Sequence, residues 1–199
     1  MQKHYFPGQQ TDEHVLYVVH PHIVSLYMSL AKITALALFL LITLLFLSKA
    51  FMFFGVVSFI GAAVLVGVGS WVSYESFRRS ITYITDRRIV RFEAATPFAT
   101  NSRALTWDEV VKVKTFPRNV LWKMMKVGTI IVHAKSTYVH THEQTRENVY
   151  TNDDLDLEYV YYYKDLGNYI DKILYTYKHS PHEVSQMHPF VPKPAGQRD

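Results

Sequence analysis

Hydrophobic and polar positions divide the chain into stretches of different period. Residues 33–47 read ITALALFLLITLLFL, and residues 51–74 run without a charge. A helix needs about 20 apolar residues to cross the hydrocarbon core of a bilayer. The second run meets that length alone. The first meets it once residues 24–31 (VSLYMSLA) are added, with Lys32 reaching the headgroups along its own aliphatic stem. Ser48-Lys49-Ala50 breaks the pattern, so it predicts two membrane helices, about 26–47 and 52–74, packed as a hairpin. The competing reading is a buried helical hairpin of a soluble protein. Helices of that kind carry a polar face, and these runs show none.

Beyond residue 75 the period falls towards two. Residues 81–84 (ITYI) form a short β-type run, Thr85-Asp86 suits a turn, and residues 88–93 (RIVRFE) alternate as a half-buried strand. Residues 94–102 read as a loop, 104–107 begin another strand, and 110–115 (VVKVKT) alternate again. After Pro117, residues 118–127 (RNVLWKMMKV) lose the alternation and suit one or two helical turns, which Gly128 ends. Residues 129–133 are a strand, 135–155 a polar hairpin or loop, and 157–163 (LEYVYYY) a last strand. Residues 165–177 place Leu166, Tyr169, Ile170, Ile173 and Leu174 on one stripe, which predicts a helix with Asp165 as its N-cap.

Strands followed by one helix predict an α+β membrane protein. A two-helix transmembrane hairpin would carry a small antiparallel sheet or partly open barrel, capped by the C-terminal helix that protects its edges. The division is residues 1–23 as a cytoplasmic N-terminal segment, 24–75 as the hairpin, 76–178 as a cytoplasmic domain and 179–199 as a disordered tail rich in Pro and His. Within the first segment, residues 13–20 (EHVLYVVH) read as a short strand, lying beside the domain or at the membrane surface. About thirty mostly polar residues precede the first apolar run, which argues for a retained anchor over a cleaved signal.

Charge adds orientation. The formal net charge is +4 and cysteine is absent, so there is no disulfide framework or thiolate chemistry. Arg78, Arg79, Arg87, Arg88 and Arg91 follow the second run, Lys3 and Lys32 flank the first, and only Lys49 lies between. Lys and Arg favour the cytoplasmic side, so the expected location is the cell membrane, multi-pass, with both termini in the cytoplasm. Residues 76–135 hold 12 Lys or Arg against 4 acids, whereas 140–175 hold 8 acids against 3 bases. A basic half beside the anionic inner leaflet gains about 1 kcal/mol per nearby base. The candidate lipid-contacting residues are Arg78, Arg79, Arg87 and Arg88, which also set topology, and an interfacial loop of Arg118, Trp122, Lys123 and Lys126. Nucleic-acid binding is not expected of a membrane-tethered chain.

Motifs for chemistry are sparse. There is no phosphate-binding Gly loop, nucleophile elbow or dinucleotide fingerprint. His20 and His22, like His140 and His142, share a strand face, but no third ligand is placed; no metal or other cofactor is expected. Tyr159, Tyr161, Tyr162 and Tyr163 suit sheet core and edge. Ser58/Ala62 and Ala63/Gly67 suit close packing against the first span, or against a second copy.

Several of these residues carry a resemblance. Gly8-Gln9 and Asp12-Glu13 lie near the N-terminus, His20 or His22 precedes the first span, and Tyr83-Ile84-Thr85-Asp86-Arg87-Arg88 follows the second. Trp107-Asp108-Glu109-Val110 and Gly128-Thr129-Ile130 come next. Over roughly residues 6–175 the chain resembles bacterial membrane proteins with a pleckstrin-homology-like domain, the YdbS-like group. It departs from them in its longer polar segment 135–155 and in lacking a Pro before the last helix. The resemblance implies a pleckstrin-homology-like barrel capped by a helix, and little about biochemistry. The expected function is a non-enzymatic, membrane-anchored module binding a protein partner or homo-oligomer, anionic lipid, or both. The alternatives are an accessory subunit docking through its hairpin into a larger membrane complex, and a membrane enzyme.

Overall fold

The computed structural model describes residues 5–48, 53–94, 96–135, 137–139, 149–151 and 154–193. The chain is of α+β class, with two long apolar helices and small antiparallel sheets. It divides into two units. One holds residues 1–21, 81–92 and 102–199; the other holds 22–80 and 93–101.

The helical unit is built from α1 (Ile23–Ser48) and α2 (Phe53–Arg79), which pack on each other. Both contain stretches long and apolar enough to cross a membrane, Ile23–Phe46 and Gly55–Arg79. Small side chains permit the close approach: Ala37 and Ser58 are buried, and a Cβ on Gly69 would sit 3.0 Å from Ile33 Cγ2. The Ser58/Ala62 pair lies on the less exposed side of α2, whereas Ala63 and Gly67 are exposed. Lone hydroxyls are satisfied within the helices. Thr34 Oγ1 donates to Leu30 O at 2.9 Å, Thr43 Oγ1 to Phe39 O at 2.8 Å and Ser58 Oγ to Gly55 O at 2.8 Å. Such bonds let Ser and Thr sit where water is absent. The same unit includes the tip joining β3 (Arg88–Ala94) to β4 (Thr100–Thr106).

The other unit is a β-domain. Its first sheet has the order β1-β2-β3-β4, with β1 (Val15–Val19) antiparallel to β2 (Ile81–Thr85). The strand read at residues 13–20 therefore pairs with the domain across the whole helical hairpin in sequence. A bulge between Val15 and Tyr17 breaks the alternation, so Leu16 and Val19 both reach the core. The second sheet has the order β5-β6-β9, from β5 (Val110–Phe116), β6 (Val127–Ala134) and β9 (Leu155–Tyr161). A short ribbon pairs β7 (Thr137–Val139) with β8 (Val149–Thr151), within the segment read as a hairpin or loop.

Both sheets and α4 (Tyr163–His179) share one core around the fully buried Trp107, Ile84, Ile130 and Ile170. Leu166, Ile170, Ile173 and Leu174 form the buried stripe of α4, as the helical spacing predicts. Asp165 lies in its first turn; the N-cap is Tyr162, in the left-handed region at φ 53°. The last strand ends before that cap, two residues short of the sequence reading. Two glycines let the helix close on the sheet. A Cβ on Gly167 would lie 2.1 Å from Thr115 Cγ2 on β5, and one on Gly128 would lie 2.4 Å from the Tyr163 ring.

Residues 180–193, part of the segment expected to be a disordered tail, pack on the β-domain. Residues Pro181–Gln186 form a 3-10 helix, Val184 is 1% exposed, and Phe190 packs 4.8 Å from Tyr17 and 5.4 Å from Tyr169 between ring centroids. Tyr169 Oη donates to His188 O at 2.7 Å, and burial pushes its pKa up to about 12. Pro and His enrichment suggested disorder, but Val184, Met187 and Phe190 supply an apolar anchor in a polar context.

Candidate functional site

Two surfaces of the β-domain gather the residues of interest. The first is a polar junction between the loop before β1 and the β2–β3 turn. Glu13 is 3% exposed there. Its Oε1 accepts from Thr85 Oγ1 at 2.8 Å and Arg88 Nε at 3.0 Å, and its Oε2 from Arg88 Nη2 at 2.9 Å and the Gln10 N–H at 3.0 Å. Arg88 Nη2 also donates to Gly8 O at 2.7 Å, where the chain takes φ +82°. Arg87 donates to Gln10 Oε1 at 2.7 Å and pairs with Asp12. The buried Trp107 ring closes the floor, its Nε1 donating to Thr85 O at 3.1 Å.

This network decides the protonation of its members. Burial works to raise the pKa of Glu13, but hydrogen bonds from Arg88, the Gln10 amide and Thr85 outweigh it and hold the carboxyl below its ordinary value. Burial dominates at Asp86 and raises its pKa, although Asp86 Oδ1 accepts the His14 N–H at 3.0 Å. Beside the junction lies a cleft of about 570 Å³, lined in part by His14, Asp86, Arg87, Asp108, Tyr177 and Ser185. Tyr177 Oη donates to Asp108 Oδ2 at 3.0 Å. The charged groups here are engaged with one another, which is the chemistry of a structural clasp. Among the described residues no group of three His, Asp or Glu side chains is placed to share a metal ion.

The second surface is α3 (Val120–Met124), a single helical turn between β5 and β6. One turn cannot bury all its sides, and the structure turns Trp122 inward. Trp122 is 9% exposed, and its ring packs edge-on against Tyr159 with centroids 5.4 Å apart. Tyr159 reaches this position through an extra residue in β9 opposite Gly128 and Ile130, taking a left-handed φ of 56°. The outward side chains are Val120, Leu121 and Met124, each 70% exposed or more. Lys123 and Lys126 are exposed beside them.

The predicted lipid-contacting residues thus part company. Arg78 is exposed at the end of α2, and Arg79 Nε pairs with Glu75 at 2.6 Å. Arg87 and Arg88 are held in the junction, so Arg88, with its side chain 21% exposed, is a structural ion-pair partner. Arg118 meets Glu158 at 3.2 Å but keeps half its surface. Trp122 is buried against Tyr159, whereas Arg78, Lys123 and Lys126 are exposed. The sequence does not single out Val120 and Leu121, because a five-residue helix is too short for its period to show which side chains face out. The structure also brings together Glu13 and Arg88, whose partnership spans 75 residues and leaves no local signal. Gly8, Asp12 and Glu13 of one motif meet Thr85, Arg87 and Arg88 of the other.

No family model, curated protein or solved structure matches this chain. His140 and His142 lie outside the described residues. His133 Nδ1 and Asp154 Oδ2 are 2.8 Å apart, a pairing the sequence did not suggest.

Proposed function

We propose that the chain is a non-enzymatic membrane-anchored module: α1 and α2 cross the bilayer as a hairpin, and the β-domain works at the cytoplasmic surface, meeting anionic headgroups through α3. The observation that carries the anchor is the exposure of large apolar side chains along both helices. Phe39 is 70% exposed, Phe46 65%, Phe59 72% and Ile60 58%. Core helices of a soluble protein hide such side chains. Lipid satisfies them here at about 25 cal/mol per Å² removed from water.

Several features support the same-side placement of the two termini. Strand β1 ends at Val19 and α1 begins at Ile23; α2 ends at Arg79 and β2 begins at Ile81. Since β1 pairs with β2, the chain leaves for the hairpin and returns from it at adjacent strands. Tyr27 near that end of α1, and Trp71 and Tyr74 near that end of α2, are exposed aromatics of the kind that settle at headgroup depth. Arg78 and Arg79 follow them. Two antiparallel sheets with a C-terminal helix packed on them are also what a pleckstrin-homology-like domain would need.

The anchor is tested by washing membranes with alkaline carbonate. The full chain should stay in the pellet, and a reporter fused past Asp199 should be cytoplasmic. Recovery in the supernatant, or an external reporter, refutes the reading. Placing Arg at Val64 in the middle of α2 should lower insertion by about 2.5–3.5 kcal/mol.

A further inference from the structure

The turn between β3 and β4 carries no charged residue. Residues 94–100 read AATPFAT. Phe98 at its tip is 87% exposed, a position where a soluble surface rarely keeps a Phe. The ring lies 6.1 Å, centroid to centroid, from Trp71 of α2, itself 52% exposed. The tip belongs to the same compact unit as the helices, so its level along α2 is defined: it stands beside Trp71, about 12 Å along the helix from Arg79 by the rise of 1.5 Å per residue.

The N–H groups of Thr96, Phe98 and Ala99 are satisfied within the tip. The Thr96 N–H donates to Ala99 O at 3.3 Å. The Ala99 N–H donates to Thr96 O at 3.3 Å and to Thr96 Oγ1 at 3.0 Å. The Phe98 N–H donates to Thr96 Oγ1 at 3.3 Å, and Pro97 has no N–H to satisfy. An exposed loop in water has no need of such closure, because water supplies the partners. A loop entering lipid must bring its partners with it.

We infer that this turn, Thr96–Ala99 with Phe98 leading, is a membrane wedge that inserts beside Trp71 into the interfacial layer of the cytoplasmic leaflet. It is a point of attachment additional to the two helices and α3, and its ligand is the headgroup and upper acyl region of a lipid bilayer. The inference rests on the hairpin lying in that bilayer. Trp71 would then sit among the headgroups, and Phe98 is carried to the same depth.

The absence of native cysteine allows single labels in the full chain. An environment-sensitive fluorophore is placed at Phe98→Cys in proteoliposomes containing phosphatidylcholine lipids with a nitroxide at the headgroup or deep in the acyl chain. The label at position 98 should be blue-shifted against one at the exposed Asp171, shielded from aqueous iodide, and quenched more by the headgroup nitroxide than by the deep one. A label at Phe59→Cys, within α2, should be quenched by the deep nitroxide. Quenching at 59 without quenching at 98 overturns the wedge and leaves the anchor standing; failure at 59 overturns the anchor itself. Shielding at 98 without nitroxide quenching means protein covers the tip, and also overturns the wedge. Ala99→Cys, also exposed, repeats the measurement should a label at 98 disturb the Trp71 contact.

Discussion

Glu13 shows how one residue ties distant parts of the β-domain. It is buried, ionised and held by Arg88, Thr85 and the Gln10 amide, and Arg88 in turn holds Gly8. Its folded pKa lies below the ordinary 4.5, so its contribution is complete above that pH and is lost as pH falls through the lower folded value. Asp86, whose pKa burial raises, acts in the opposite sense in the same acid window. The comparison that isolates Glu13 is therefore Glu13→Gln. That variant should be less stable at neutral pH and lose less on acidification, as read by denaturant unfolding of the detergent-solubilised chain at a series of pH values. Arg88→Met should be worse, at about 3 kcal/mol, because it leaves a buried carboxylate without its cation. Equal acid sensitivity in wild type and Glu13→Gln would remove Glu13 from the account.

Among the elements, α4 illustrates how local preference yields to packing. Ala is better than Gly in a helix interior by about 1 kcal/mol, so propensity alone predicts that Gly167→Ala stabilises. The added Cβ would meet Thr115 Cγ2 at 2.1 Å, and overpacking of that kind costs about 1–3 kcal/mol. The expected outcome is a net loss in thermal or denaturant unfolding. Thr115→Ser removes the clashing methyl and should recover much of it in the double variant. A stabilised Gly167→Ala would mean that helix and sheet are further apart than described. The same competition governs α3, where the large Trp122 takes the only buried side of a single turn and sends Val120, Leu121 and Met124 outward.

For the molecule as a whole, the proposed anchor and the β-domain core lie in different segments. Deleting residues 180–199 removes the buried Val184 and Phe190, each worth about 1.5–3 kcal/mol if fully hidden, together with the bond from Tyr169 to His188. The truncated chain should remain in carbonate-washed membranes while its β-domain becomes easier to unfold and to digest with protease. A truncated domain as resistant as the full one would show that the C-terminal segment adds nothing. In the other direction, Val64→Arg should weaken the insertion of α2 and leave the β-domain core, around Trp107 and Ile170, intact.

What the chain itself determines is whatever depends on neighbours in sequence. Uncharged runs mark α1 and α2, alternation marks residues 81–92, 110–115 and 129–133, and the stripe from Leu166 to Leu174 marks α4, because burial imposes its own period on each element. The partners across space were decided by the tertiary structure. Glu13 finds Arg88 and His14 finds Asp86 over more than 70 residues, with the whole helical hairpin between. Trp122 turns in because Tyr159 occupies a left-handed bulge on another strand, and the C-terminal segment orders because Tyr17 and Tyr169 offer Phe190 a place to pack. A local pattern records how much of a side chain is hidden, whereas a clasp, a cap or a wedge depends on what hides it. That second quantity exists only once the sheets have closed.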